Sequence, residues 1–428
     1  MPPQDGRGHR ARSAPIRIVN YAIDGEGLGH VTRLIAIGRW IRRLAAESGV
    51  RAEIYFLTSS EATHVLYQER FVSLKVAMAE VAEEGGLDPG LYRRFAGTWL
   101  RRGLDLLKPD LLIVDTFPRG VFHEFPNAWR ACRTKAFIYR PTKPAFTSRL
   151  DYQAALLGYD AILVPEFAGQ ATAEVPPPAA DRLQYIGPVV VRERHEILTR
   201  QEARQQLGIS DGQLGIYLSM GGSGDSTLEA VIRPIVTRLG DLDAVHIVVG
   251  AGPLYRGAPL GGAHLTWLTR SGICELMNAF DVAISASGYN SFVELMHFGV
   301  PTIFLPRWCE EDDQHARAQR AVAAGAAVRL DPEDLGGIVD AVERWRDVGR
   351  RQAASDAARG VVPVNCAREF AVHLLNLATR RREKNSPLRT TRMVMWRLEH
   401  GVRSFPARLR AAVPRPLARV VRAIRSRK

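Results

Sequence analysis

Cysteine is scarce in this chain. The four that occur, Cys132, Cys274, Cys309 and Cys366, are far apart and form no CxxC pair. That spacing argues against a disulfide framework or a cysteine zinc site and fits a reducing compartment. Long apolar runs are missing too: no stretch offers the roughly 18 uninterrupted apolar residues of a membrane span. The first fifteen residues, MPPQDGRGHRARSAP, are polar and basic with no apolar centre, so no secretory signal is expected. No DxD-type acidic pair sits at a strand end, and the first glycine loop reads GxGxG where a dinucleotide fingerprint needs GxGxxG. Neither a metal nor a resident cofactor is expected.

The apolar fraction of 46% and the charged fraction of 24% are those of a globular protein, and 428 residues suffice for two domains. The net charge of +13 is unevenly placed. From Arg380 onward there are 16 Lys or Arg against Glu383 and Glu399, so the preceding chain is within one charge of neutrality. A basic tail on a neutral body argues against a nucleic-acid groove across the folded domains, and no specific nucleic acid is expected.

Ile16 to Ile23 reads as a buried strand, and Asp24-Gly25-Glu26-Gly27-Leu28-Gly29-His30 follows it into a helical pattern over 31–44. Further strands are expected at 53–58, 74–78, 111–115, 135–139 and 161–164, with helical patterns between most of them, as over 91–107. Such alternation implies a mostly parallel, doubly wound α/β sheet. A proline-rich stretch at 174–180 and Gly187-Pro188-Val189 place a domain boundary near Val191. A second alternation follows, with strands at 214–220, 244–250, 265–268, 282–287, 302–305 and 328–330 and helices over 334–346 and 365–379. The expected layout is a basic segment 1–15, a first domain 16–191, a second domain 192–379 and a basic tail 380–428.

Two glycine turns mark the second half. Gly221-Gly222-Ser223-Gly224 follows one strand, and Gly288 follows another, with Asn290 or Ser291 expected to cap the next helix. Helix N-termini on the carboxyl rim of a parallel sheet favour a phosphate, and Glu294 lies about one turn into the second helix, within reach of a ribose diol. In the first half, a histidine at the tip of a glycine loop, His30, can take a proton near neutral pH, with Asp24 or Glu26 to orient it. A helix-capping histidine beside a tight turn explains His30 equally simply. Asp115, ending its strand on the rim, reads as catalytic or as a helix cap.

These residues resemble the MurG-type glycosyltransferases of the wider UDP-glycosyltransferase superfamily. The loop at 24–30, with Gly27 and Gly29, is similar to their GGTGGH acceptor loop, and His30 falls on its histidine. Lys108-Pro109-Asp110 and the G-x-P-V at 187–190 also match their pattern, the latter followed there by an arginine near the donor, here Arg192 or Arg194. Gly221, Gly222 and Ser223 match a diphosphate-binding GGS loop. Glu294 matches a ribose-holding glutamate, Asp313-Gln314 an acidic-Gln pair on the sugar hydroxyls, and 269–280 a segment whose backbone brackets the base. The resemblance implies a GT-B fold, two Rossmann-like domains facing across a cleft. It further implies inverting, metal-independent transfer of a sugar, N-acetylglucosamine by preference, from a UDP donor to a lipid-linked or glycan acceptor. Two departures bear on donor and acceptor identity: DGEGLGH stands for GGTGGH, and Asp-Gln for Gln-Gln.

In the tail, Leu417, Val420, Val421 and Ile424 recur at i, i+3, i+4 and i+7 with arginines opposite. A basic amphipathic helix of this kind lies on an anionic membrane, gaining about 1 kcal/mol per basic residue near the surface. Residues 392–428 are therefore expected to hold the protein peripherally on the cytoplasmic face, although a disordered tail or a helix docking on a partner protein fits the same pattern. The alternatives for the whole chain are a sugar-nucleotide 2-epimerase of the same architecture, whose GTRPE-type loop DGEGLGH does not match, and a non-catalytic membrane- or RNA-binding scaffold.

Overall fold

The computed structural model of the chain describes residues 14–23, 28–125, 127–221, 227–309 and 312–379. Two parallel sheets dominate it. The first holds β1 (Ile16–Ala22), β2 (Ala52–Thr58), β3 (Val72–Lys75), β4 (Leu111–Asp115), β5 (Thr134–Ile138), β6 (Ala161–Val164) and β7 (Leu183–Tyr185), in the order β3-β2-β1-β4-β5-β6-β7. The second holds β8 (Leu214–Ser219), β9 (Val245–Gly250), β10 (Leu265–Leu268), β11 (Val282–Ser285), β12 (Thr302–Phe304) and β13 (Ala327–Arg329), in the order β10-β9-β8-β11-β12-β13. Every strand read from the sequence is present, its ends displaced by a few residues, and β7 is added.

Helices cover both faces of each sheet, which is why β4 and β8 are buried at every position and read as unbroken apolar runs. In each sheet the strand order reverses once, between β1 and β4 and between β8 and β11. Ligands of open parallel sheets bind at the carboxyl ends of the strands flanking such a reversal. The fold therefore nominates residues after β1, β4, β8 and β11 before any side chain is considered.

The domain boundary needs one correction. The final helix, Ala367–Thr379, belongs to the first domain and not to the second, where the sequence placed it. Ala367, Phe370, Ala371, Leu374 and Ala378 form its buried stripe, and they share a core with Ile18, Leu34, Ile37 and Ile113. The crossing is pinned by Asn365, whose amide accepts from the Val190 N–H at 2.9 Å and donates to the Val190 carbonyl at 3.0 Å. Gly187 permits the close approach: its φ is +118°, and a Cβ there would lie 2.5 Å from Cys366 Sγ.

Candidate functional site

The two reversal points face each other across a cavity of about 730 Å³ lined from both domains. On the first-domain side, His30 is the second residue of the Gly29–Glu47 helix. Its Nδ1 lies 3.5 Å from Asp115 Oδ1, and its ring packs 5.7 Å from that of Phe117. Asp115 is the last residue of β4 and buried. Arg33, one turn beyond His30, donates from Nε and Nη2 to the two Asp115 oxygens, both at 2.9 Å, and the Thr116 hydroxyl adds a third bond at 2.9 Å. Burial alone would raise the Asp115 carboxyl, but Arg33 and His30 together hold it well below the usual carboxylate range. Thr116 is left-handed, with φ +62°, a costly conformation for a β-branched residue, and it turns the chain sharply behind that carboxylate.

Asp115 is thus the acid that the described residues set against His30. Asp24, Glu26 and Gly27, which the sequence also put beside it, lie outside the described residues, as do Gly222 and Ser223 and the tail 380–428. No signal in the sequence distinguished Asp115 from a helix cap, because the partner that fixes its role, Arg33, is 82 residues away.

On the second-domain side, Gly221 and Gly288 both line the cavity, and an added Cβ at either would meet nothing within 4 Å. Gly288 differs from expectation in one respect. Its φ of −58° suits any residue, so what the glycine provides is open space at the helix entrance rather than a tight turn. Gly288 is itself the N-cap of the Tyr289–Phe298 helix, with no side-chain cap. Neither Asn290 nor Ser291 caps it: Asn290 instead donates across the cleft to the Gly29 carbonyl at 2.9 Å. The first-turn N–H groups have no partner within the helix and give its entrance a partial positive charge.

Glu294 is half-buried on the cavity wall, not packed into the core. Burial pushes its carboxyl up to about 7, against the opposing pull of Arg192. Arg192 lines the cavity, ion-paired with Glu69 and bonded to Glu275 at 2.9 Å. Arg194 points elsewhere, donating to the His297 carbonyl at 2.9 Å. Residues 270–275 form the wall beside it, while Leu276 and Met277 are core.

The acidic-Gln pair is rearranged. Gln314 lines the cavity and accepts from the Arg307 N–H at 2.9 Å. Asp313 does not line it, and its carboxylate caps the Gln314–Ala323 helix by accepting from Ala316 N at 3.0 Å. The acid that reaches the cavity is Asp312, which precedes that helix and is not part of its first turn. Asp312 is buried, 2.6 Å from Arg317 and 3.4 Å from Arg140, which hold its carboxyl below the ordinary value despite burial.

Comparison with known proteins agrees with this fold. The chain matches the Glycosyltransferase family 28 C-terminal domain over residues 269–365. It is 30% identical over 186 residues to the UDP-N-acetylglucosamine--N-acetylmuramyl-(pentapeptide) pyrophosphoryl-undecaprenol N-acetylglucosamine transferase of Cutibacterium acnes, covering 41% of this chain and 50% of that protein. The chain spans about half the length of the curated relatives it matches. Among solved structures, the spinosyn forosaminyltransferase SpnP superposes with a TM-score of 0.61 at 14% identity, covering 86% of this chain and all of that one. MurG of Acinetobacter baumannii superposes with a TM-score of 0.51 at 19% identity, covering 85% of this chain and 99% of that one. The chain therefore has the GT-B fold, matches the glycosyltransferase family 28 C-terminal domain over residues 269–365, and is MurG-like.

Proposed function

We propose that this protein transfers a sugar from a UDP donor to an acceptor hydroxyl with inversion at the anomeric carbon. The observation that carries the reading is a shared cavity: the His30–Asp115 pair faces a bare helix entrance with Glu294 behind it. His30 takes the proton of the acceptor hydroxyl, Asp115 stabilises the imidazolium that forms, and the acceptor oxygen attacks the anomeric carbon. The bond from that carbon to the diphosphate oxygen breaks, and the negative charge left on the departing UDP falls on the first-turn N–H groups after Gly288. Protein dipoles in that position do the work that a metal does in other transferases. Glu294 holds the ribose diol, Gln314 the sugar hydroxyls, and the backbone of 270–275 the base. The match to an N-acetylglucosamine transferase supports N-acetylglucosamine as the sugar and a lipid-linked acceptor.

A surface feature supports a lipid-linked acceptor independently. No helix among the described residues is long and apolar enough to cross a membrane. Yet the Pro89–Leu107 helix, which buries Ala96, Leu100 and Leu104, also carries Leu91, Phe95, Trp99 and Leu106 exposed on its outer side, beside Arg94 and Arg102. Such a stripe is the kind that lies on an anionic bilayer at the cytoplasmic face.

The test is incubation of the full chain with radiolabelled UDP-sugars and a lipid extract as acceptor. Transfer is expected, with UDP-N-acetylglucosamine preferred, and His30→Ala is expected to lower turnover by about 10² to 10⁴ while UDP affinity holds. Epimerisation of the donor without transfer, or no turnover of any UDP-sugar, would overturn the reading.

A further inference from the structure

His30 and the donor-side helix belong to different domains, and one run of side chains joins them. Arg33 forks onto Asp115 on one side, and on the other its guanidinium lies 4.9 Å from the ring centroid of Tyr289, the first residue of the Tyr289–Phe298 helix. The same ring is 5.8 Å from the guanidinium of Arg317, which is bound to Asp312 and donates to the Ser287 carbonyl at 2.5 Å. The Tyr289 hydroxyl then reaches back into the first domain. It donates to the Pro165 carbonyl at 2.6 Å and accepts from the Val189 N–H at 3.3 Å. Arg33, Asp115 and Tyr289 are all buried, so these contacts are made with little competition from water.

The charges have a consequence for the base. A lone carboxylate beside a histidine favours the protonated ring and would spoil it as a proton acceptor near neutral pH. Arg33 offsets that carboxylate while fixing its direction. The other charged groups turned toward this corner are Arg140, beyond β5, the Asp312–Arg317 pair of the second domain, and buried Glu166, which faces Tyr289 and Arg317 and is paired with Arg320; together they balance to one positive charge.

Resting on the reading of His30 as base, we propose that Arg33 and Tyr289 are positioning residues that tie the base to the donor half. Arg33 holds Asp115 ionised and aimed at His30, and Tyr289 holds Arg33 in that pose. The base is then set when the donor-side helix and the first domain are in register, and a shift of that helix is felt at His30.

The experiment is a pH titration of the His30 ring by NMR on the full chain labelled with ¹⁵N-histidine, the His30 signal being the one lost in His30→Asn. In Arg33→Gln the titration midpoint is expected to rise by about one unit, since an uncompensated Asp115 favours the imidazolium. The acidic limb of the turnover profile moves with it, and UDP affinity stays within about twofold, a shift of less than ~0.5 kcal/mol. Tyr289→Leu, which removes the ring but not the charge, is expected to raise the midpoint by a smaller step, whereas Tyr289→Phe, which keeps the ring, leaves it in place. An unchanged midpoint in Arg33→Gln or in Tyr289→Leu, with a native near-ultraviolet spectrum, overturns the proposal. The titration needs no ligand: if the midpoints move but the wild-type chain binds no UDP, the coupling stands and the donor assignment falls.

Discussion

Glu294 is where function and stability pull apart. Its carboxyl sits at about 7 in the folded chain, above the ordinary value for a glutamate, because burial disfavours the charged form. The folded state therefore binds that proton more tightly than the unfolded one. Stability from this group is fully present at low pH and is lost as pH rises from the ordinary carboxylate range through about 7. At pH 8 the wild type carries an ionised carboxylate half-buried beside Tyr217 and Cys274, whose own ionisations it opposes. Glu294→Gln is expected to raise Tm at pH 8 by roughly 2–4 °C, about 1 kcal/mol for a domain of this size, and to lose that advantage at pH 5. The same variant is expected to bind UDP about tenfold more weakly, since a carboxylate accepts the ribose hydroxyls better than an amide. Calorimetry at the two pH values and a UDP titration check both halves, and a parallel loss of stability and affinity would contradict the account. The place of Glu294 on the cavity wall was legible in the sequence because its offset from Gly288 is local. Asp313 and Asp312 were not told apart, because neighbouring acids before a helix differ only in which one meets a distant guanidinium.

Elements were read more reliably than their attachments. The Ala367–Thr379 helix shows its apolar spacing in the sequence, yet nothing in that spacing says which sheet it covers. Its buried stripe is matched by Leu34, Ile37 and Ile41 on the Gly29–Glu47 helix, more than 300 residues earlier. β7 was missed because three residues, none fully buried, carry too little periodicity, and the Val348–Val361 helix because alanines and arginines dominate it. The attachment has a measurable consequence. Phe370 is fully buried, so Phe370→Ala is expected to cost about 3–5 kcal/mol. The loss should fall on the first domain: hydrogen exchange is expected to speed up in β1 and β4 and to remain slow in β8 and β11. Uniform acceleration across both sheets, or acceleration confined to the second, would mean that the helix is not part of the first core.

At the scale of the molecule, the body is near neutral while its first domain wears an apolar stripe that no neighbouring element among the described residues covers. Leu91, Phe95 and Trp99 are 60%, 64% and 40% exposed, and Leu106 82%, an unusual density of large apolar groups on one outer helix face. The sequence reading put membrane contact in residues 392–428, which lie outside the described residues, because that is where arginines and apolar spacing coincide. Helix 89–107 has the same combination, but its inner face is apolar as well, so periodicity alone assigns the whole helix to a core. The two surfaces make separable predictions. Apolar insertion is insensitive to ionic strength, whereas attraction of a basic tail to anionic lipid is screened over about 8 Å at physiological salt. With vesicles containing phosphatidylglycerol, Phe95→Asp combined with Trp99→Asp is expected to abolish the binding that survives 0.5 M salt, and removal of residues 380–428 only the part that does not. Transfer to a lipid-embedded acceptor should fall with the first change while UDP affinity holds, since neither side chain lines the cavity. Retention of salt-resistant binding in the double variant would instead mean that the stripe does not insert into lipid and is a surface for something else.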